Sequence, residues 1–141
     1  MTSKEYFQQA PRLEKRINSD LLELEELRKL TAAVSSPSLK EHVQTSRCTD
    51  APFEQAYMRI VELEQKINDE IGRLAALKEE MHEVISQLID LDEQTVLVCR
   101  YLRNMTWEAI ALELHASRAT VNRWHNTALE HIRIPRKDET K

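Results

Sequence analysis

Arg118, Ala119, Asn122 and Arg123 fall on one stripe of a helix, and Asn126 extends it by a turn. These residue types suit the major groove. Arg and Asn read guanine and adenine edges with paired hydrogen bonds, and Ala is small enough to lie against a thymine methyl. Around the stripe stand Thr106, Ser117, Thr120, Asn126 and Arg133, whose hydroxyl, amide and guanidinium groups are of the kind that hold phosphate oxygens. The chemistry on offer is recognition of double-stranded DNA rather than bond-making. The bland reading stays open beside it, since any small helical bundle leaves polar side chains on its solvated face.

For these side chains to act together, two short helices must meet at a tight turn. Thr106 is placed to cap the first, Glu108 suits the positive end of its dipole, and Ile110, Ala111 and Leu114 share one face. His115 occupies the turn. Ser117 caps the second helix, whose inward stripe is Val121, Trp124, Ala128 and Ile132. A third helix begins near Asp90 and Glu93, buries Val96, Leu97 and Tyr101 with Cys99 or Arg100 at its edge, and ends at Asn104. His115, His125 and His131 read as a turn residue and two partly exposed helix residues, so no metal follows from them. Two cysteines, Cys48 and Cys99, lack zinc-ligand spacing and are too dispersed to suggest a disulfide.

The first 89 residues carry a different pattern. Leu13, Ile17, Leu24, Leu27 and Val34 trace a heptad seam with Asp20 and Thr31 as polar breaks, Leu21 and Leu30 widening the stripe. Thr2 and Glu5 have capping-box spacing, and Pro11 is expected to interrupt the helix so that its regular part starts there. A longer seam follows: Phe53, Ile60, Ile67, Leu74, Met81 and Leu88, with Ala56, Leu63, Leu77, Val84 and Leu91 as companions and Glu70 out of place. Asp50 is a plausible cap. From Asp50 to Leu88 such a helix runs roughly 55 to 60 Å. Between the two, residues 35–49 lose periodicity and gain Ser, Thr and Pro, which predicts a loop. The second heptad helix then folds back antiparallel on the first, and the seam leaves homo-oligomerisation through the coiled coil open.

Composition agrees with an all-α chain. One Gly and four Pro in 141 residues are too few for the turns of an all-β fold. No run approaches a membrane span and the start lacks a signal peptide's apolar centre, which points to a cytoplasmic protein. The net charge of −4 divides unevenly: from Glu93 onward there are 8 Lys and Arg against 6 Asp and Glu, hence +2, leaving −6 for the first 92 residues. Phosphate neutralisation supplies most non-specific affinity, so weak DNA binding by the isolated protein is expected. The acids of LEELR, ELEQK and LKEE are solvated helix faces with i to i+4 ion pairs. With no converging nucleophile, base or metal set, neither an enzyme, a cofactor nor a small-molecule substrate is expected.

From Asp90 to Arg133 the chain resembles region 4 of sigma factors, through the run YLRNMTWEAIALELHASRATVNRWHNTALEHIR preceded by DEQTVLVCRYL. The whole chain, with its two heptad helices, looks like an uncharacterised phage-encoded family of sigma-region-4-like proteins, related to the autolysin-regulator family of late transcription regulators. Two positions depart from the pattern: His115 stands where Gly is usual, and Ala109 where Glu would complete a capping box. The resemblance implies a helix-turn-helix at 90–134 whose second helix enters the major groove, RNA polymerase as a further partner, and the cytoplasm of a bacterial host. The expected architecture is thus a long antiparallel helical hairpin over 1–89, the helix-turn-helix module, and a flexible charged tail at 135–141. In this reading Arg118, Ala119, Asn122 and Arg123 read bases, while Thr106, Ser117, Thr120, Asn126 and Arg133 hold phosphates. The alternative is an assembly protein in which the coil does the work, such as a packaging adaptor of the terminase small subunit kind.

Overall fold

A computed structural model describes residues 1–34 and 50–135; the expected loop at 35–49, Cys48 and the tail from 136 lie outside them. Those residues are helical, with no strand among them: α1 is Ser3–Val34, α2 Asp50–Ser86, α3 Leu91–Leu97, α4 Trp107–Glu113 and α5 Arg118–His131. No helix among them is long and apolar enough to cross a membrane. By their contacts they form two compact units, one of Met1–Glu14 with the chain from Leu74 onward, the other Lys15–Arg73. The sequence boundary placed at residue 89 coincides with neither limit.

In the first unit, α1 starts on a capping box. Glu5 N donates to Thr2 Oγ1 at 3.2 Å while Thr2 N donates to Glu5 Oε2 at 3.0 Å. Pro11 does not interrupt the helix, contrary to the expectation from sequence; it lies inside α1. An interior proline costs about 3 kcal/mol. Burial offsets that cost, since Tyr6, Phe7 and Ala10 just before it are 4%, 0% and 0% exposed. They join Met81, Val84, Ile85, Leu88, Leu97, Tyr101, Ala128 and Ile132 in one cluster, with Phe7 stacked on Tyr101 at 5.4 Å between centroids. A second cluster of Val96, Cys99, Ile110 and Val121 lies under Trp107, Leu114 and Trp124. Cys99 is a free thiol whose pKa is raised, chiefly by burial.

The α2 helix stops at Ser86, two residues before the heptad pattern does. Leu88 is still buried, but Leu91, assigned from sequence to a companion seam position, is 73% exposed. The cause is the turn at 87–90, which rotates the chain before α3 starts. Asp90 caps α3, its Oδ1 accepting from Asp92 N at 2.8 Å. Glu93 does not reach back to complete a capping box. It is buried and holds His131 of α5, Nδ1 to Oε2 3.1 Å.

The second unit contains a single seam. Ile17, Leu24, Ile60, Leu63 and Ile67 are buried in it, and ion pairs Arg28–Glu64, Arg59–Glu23 at 3.2 Å and Lys66–Asp20 at 3.5 Å join α1 to α2. The stripe is narrower than expected. Leu21 is 43% and Leu30 60% exposed, so neither widens it. Asp20 and Glu70, which break the apolar pattern, are nonetheless buried at 8% and 6% exposure. Lys66 also lies 3.8 Å from Glu70 Oε1, making it the shared counter-charge of both carboxylates.

Candidate nucleic-acid interface

Chain reversal after α3 sets up the site. The helix passes into a π-helical turn, Val98–Leu102, closed by Arg103 N donating to Val98 O at 2.9 Å. The wider turn turns Cys99 and Tyr101 inward and leaves Arg100 half-buried, with its guanidinium 4.4 Å from the Trp107 ring centroid and Nη1 donating to Met105 O at 3.0 Å. Asn104 then takes a left-handed conformation at φ 58, which Asn tolerates better than most residues and which ends the segment as expected.

Thr106 caps α4 by accepting from Ala109 N at 3.2 Å. The turn at 114–117 places His115 at φ 53, the left-handed position where glycine is the easier residue. Ala116 N donates to Ala111 O at 3.0 Å, closing the turn. Ser117 caps α5, with Thr120 N donating to its Oγ at 3.2 Å, and the two hydroxyls lie 2.8 Å apart.

Along α5 the two faces separate. Val121 and Ala128 are fully buried and Ile132 nearly so, while Trp124 is only half-buried. On the other side Arg118, Ala119, Arg123 and Asn126 are exposed, and Asn122 is partly exposed. Thr106, Ser117 and Arg133 are also exposed, and Thr120 partly so. The stripe and the phosphate candidates at α4 and α5 therefore occupy accessible positions in the same unit. Besides the hydroxyls of Thr106, Ser117 and Thr120, which serve the caps, two further candidates are already engaged. Arg118 Nη1 lies 3.0 Å from Glu108 Oε1 across the turn, and Asn126 Oδ1 lies 3.3 Å from His125 Nδ1. Arg123 makes no side-chain hydrogen bond or ion pair among the described residues; only its backbone oxygen is used, by Thr127 Oγ1 at 2.9 Å.

His125 corrects the sequence reading. It is buried at 5% exposure rather than partly exposed. Its ring stacks on Tyr101 at 5.7 Å and meets Trp107 edge-on at 4.8 Å, with Nε2 2.7 Å from Tyr101 Oη. Asn126 Oδ1 can only accept, so Nδ1 carries the proton and the Tyr101 hydroxyl donates to Nε2. Burial lowers the His125 pKa, and Lys4 and Arg100 push it the same way against the Asn126 hydrogen bond. His131 is exposed, and its hydrogen bond to Glu93 raises its pKa. Among the described residues no cluster of three or more His, Cys, Asp or Glu is arranged to hold a metal ion.

Sequence reasoning missed Arg100 on Trp107, Arg103 paired with Glu113 at 3.5 Å, and Glu108 on Arg118. Glu108 was visible only as a favourable charge on its own helix; its pairing depends on how sharply the turn brings α5 back.

What results is an all-helical protein whose C-terminal part presents two short capped helices joined at a strained turn. The chain belongs to the family described as Protein of unknown function (DUF722), which it matches over residues 8–134. No curated protein and no solved structure matches it.

Proposed function

We propose that the protein is a DNA-binding transcription regulator of phage type, with α4 and α5 as a sigma-region-4-like helix-turn-helix and α1 and α2 as an antiparallel helical hairpin. The observation that carries this reading is the division of α5 into a buried face of Val121, His125 and Ala128 and an open face of Arg118, Ala119, Asn122 and Arg123. A helix read by the major groove must offer donors on one side and be locked by packing on the other. Arg123 is an exposed guanidinium without a carboxylate partner among the described residues, the state required of a group that is to reach guanine O6 and N7. In this reading Arg118, Ala119, Asn122 and Arg123 contact bases, and Thr106, Ser117, Thr120, Asn126 and Arg133 contact phosphates.

The reading is tested by incubating the purified full chain with sheared DNA of its source genome and sequencing the fragments it retains. Enrichment of fragments sharing a short common sequence is the expected result. Retention of none, or of all fragments equally at every salt concentration, would overturn it.

A further inference from the structure

A chain of hydrogen bonds runs from the core of the first unit to the open face of α5. The hydroxyl of buried Tyr101 meets His125 Nε2 at 2.7 Å, and Nδ1 of the same buried ring meets Oδ1 of exposed Asn126 at 3.3 Å. Both rings are fixed from behind. Phe7 stacks on Tyr101 at 5.4 Å, and Trp107 meets His125 edge-on at 4.8 Å.

The buried end sets the direction of the chain. Tyr101 Oη has no hydrogen-bond partner among the described residues other than His125 Nε2. Were it to accept there, its own proton would be buried without an acceptor, a costlier orphan than a spare lone pair. The hydroxyl therefore donates, Nε2 is bare, and the one proton of the neutral ring sits on Nδ1. Burial, with Lys4 and Arg100 nearby, favours that neutral form. An Nδ1–H is received by the amide oxygen of Asn126 and not by its nitrogen, so Oδ1 is held against a buried ring. Asn126 Nδ2 makes no hydrogen bond among the described residues and keeps both its protons to offer.

This orientation selects a ligand group. An adenine edge offers N7 as acceptor and N6 as donor, so an asparagine that reads it turns Oδ1 and Nδ2 outward together. A phosphate oxygen only accepts, and Nδ2 alone suffices. We infer that Tyr101 and His125 are positioning residues for DNA, which hold back Oδ1 of Asn126 and present its Nδ2 to a phosphate. The inference rests on the proposal that the open face of α5 docks on DNA, and adds that Asn126 supplies affinity without sequence preference.

Two measurements on the full chain test it. Nitrogen-15 NMR of the histidine rings distinguishes a protonated ring nitrogen from a bare one without any DNA present. It is expected to place the His125 proton on Nδ1 at neutral pH, and Tyr101→Phe, which removes only the hydroxyl, is expected to move part of the population to the Nε2–H form. A natural chain with the proton on Nε2, or a Tyr101→Phe chain with unchanged ring signals, would overturn the inference. In DNA titrations, Asn126→Ala is expected to weaken binding about tenfold, equally for the duplex enriched from the genomic fragments and for an unrelated duplex. His125→Phe fills the ring's space without an N–H and has a similar effect; joining it to Asn126→Ala adds less than about twofold, because both remove one contact. Where His125→Phe lowers the thermal midpoint, the same cycle is run with Tyr101→Phe, which is expected to weaken binding less and again without adding to Asn126→Ala. Additive losses, or a loss in Asn126→Ala confined to the enriched duplex, would overturn the inference and leave the DNA reading standing. A natural chain that binds neither duplex overturns both.

Discussion

The two units of the chain are held by different physics. The first closes around a continuous cluster in which Phe7 and Met81 are completely buried, aromatic rings stack from α1 through Tyr101 to His125, and the buried ring nitrogens have partners. The second has one aliphatic seam, flanked by exposed ion pairs and interrupted by two buried carboxylates. Glu70 Oε2 accepts no hydrogen bond among the described residues. The difference teaches where stability and where specificity reside. Burying aromatic area stabilises the first unit even though Tyr6 Oη has no hydrogen-bond partner among the described residues; burying carboxylates beside a half-exposed lysine gives away stability and, as in polar layers of coiled coils, fixes which residues face one another.

The sharpest way to break this comparison is to empty a site in the first unit. Phe7→Ala removes a fully buried ring that stacks on Tyr101, and is expected to cost about 3 to 5 kcal/mol in denaturant unfolding. Leu22→Ala in the second unit, at 61% exposure, should stay within about 0.5 kcal/mol. Equal losses would mean that the exposed leucine is covered by something in solution.

Next in size is repair of the polar layer. Replacing Asp20 and Glu70 together by Leu leaves Lys66 free to turn to solvent, and is expected to be neutral or stabilising, by up to about 4 kcal/mol. Lys66→Ala, which removes the shared counter-charge and leaves both carboxylates in place, should destabilise instead. Thermal unfolding of the three chains side by side checks both signs. A loss on the double leucine change would show that the layer is held by partners beyond Lys66.

A smaller effect separates the two histidines of α5. His125 has a lowered folded pKa, so the unfolded chain takes up its proton first as pH falls. The stability it contributes is complete above about 6.5, its ordinary value, and is lost as pH drops below it toward the folded pKa. His131 has a raised folded pKa, so its contribution is present below about 6.5 and is lost as pH climbs through the folded value. Unfolding curves between pH 5 and 8 should therefore lose their acid limb in His125→Gln and their opposite, shallower limb in His131→Gln. An acid limb that survives in His125→Gln would assign it to other groups.

Much of this was readable from residue types that act locally. The caps at Thr2, Asp90, Thr106 and Ser117 and the left-handed His115 depend only on neighbours within a turn, and periodicity over long stretches marked the helices α1 and α2. What periodicity could not show was where distant chain arrives. His125 sits at the edge of the α5 apolar stripe, and only the arrival of Tyr101 and Trp107 gives its ring a hydrogen bond and a reason to be buried. Pro11 reads as a helix start until Phe7 is seen inside a core built with Met81 and Tyr101. Leu91 fits the heptad but lies beyond a turn that resets the register. For the stripe on α5, sequence supplied the residue types and the structure their exposure, while the pairing of Arg118 with Glu108 required the turn geometry.

The central claim rests on the open face of α5, and Arg123 is its most direct test. A duplex carrying the sequence enriched from the genomic fragments should bind the natural chain with strong salt dependence, and Arg123→Ala should weaken that binding by about 1 to 3 kcal/mol in titrations followed by fluorescence anisotropy, with the thermal midpoint unchanged. Equal affinity of the two chains for that duplex would contradict the assignment of this face to DNA.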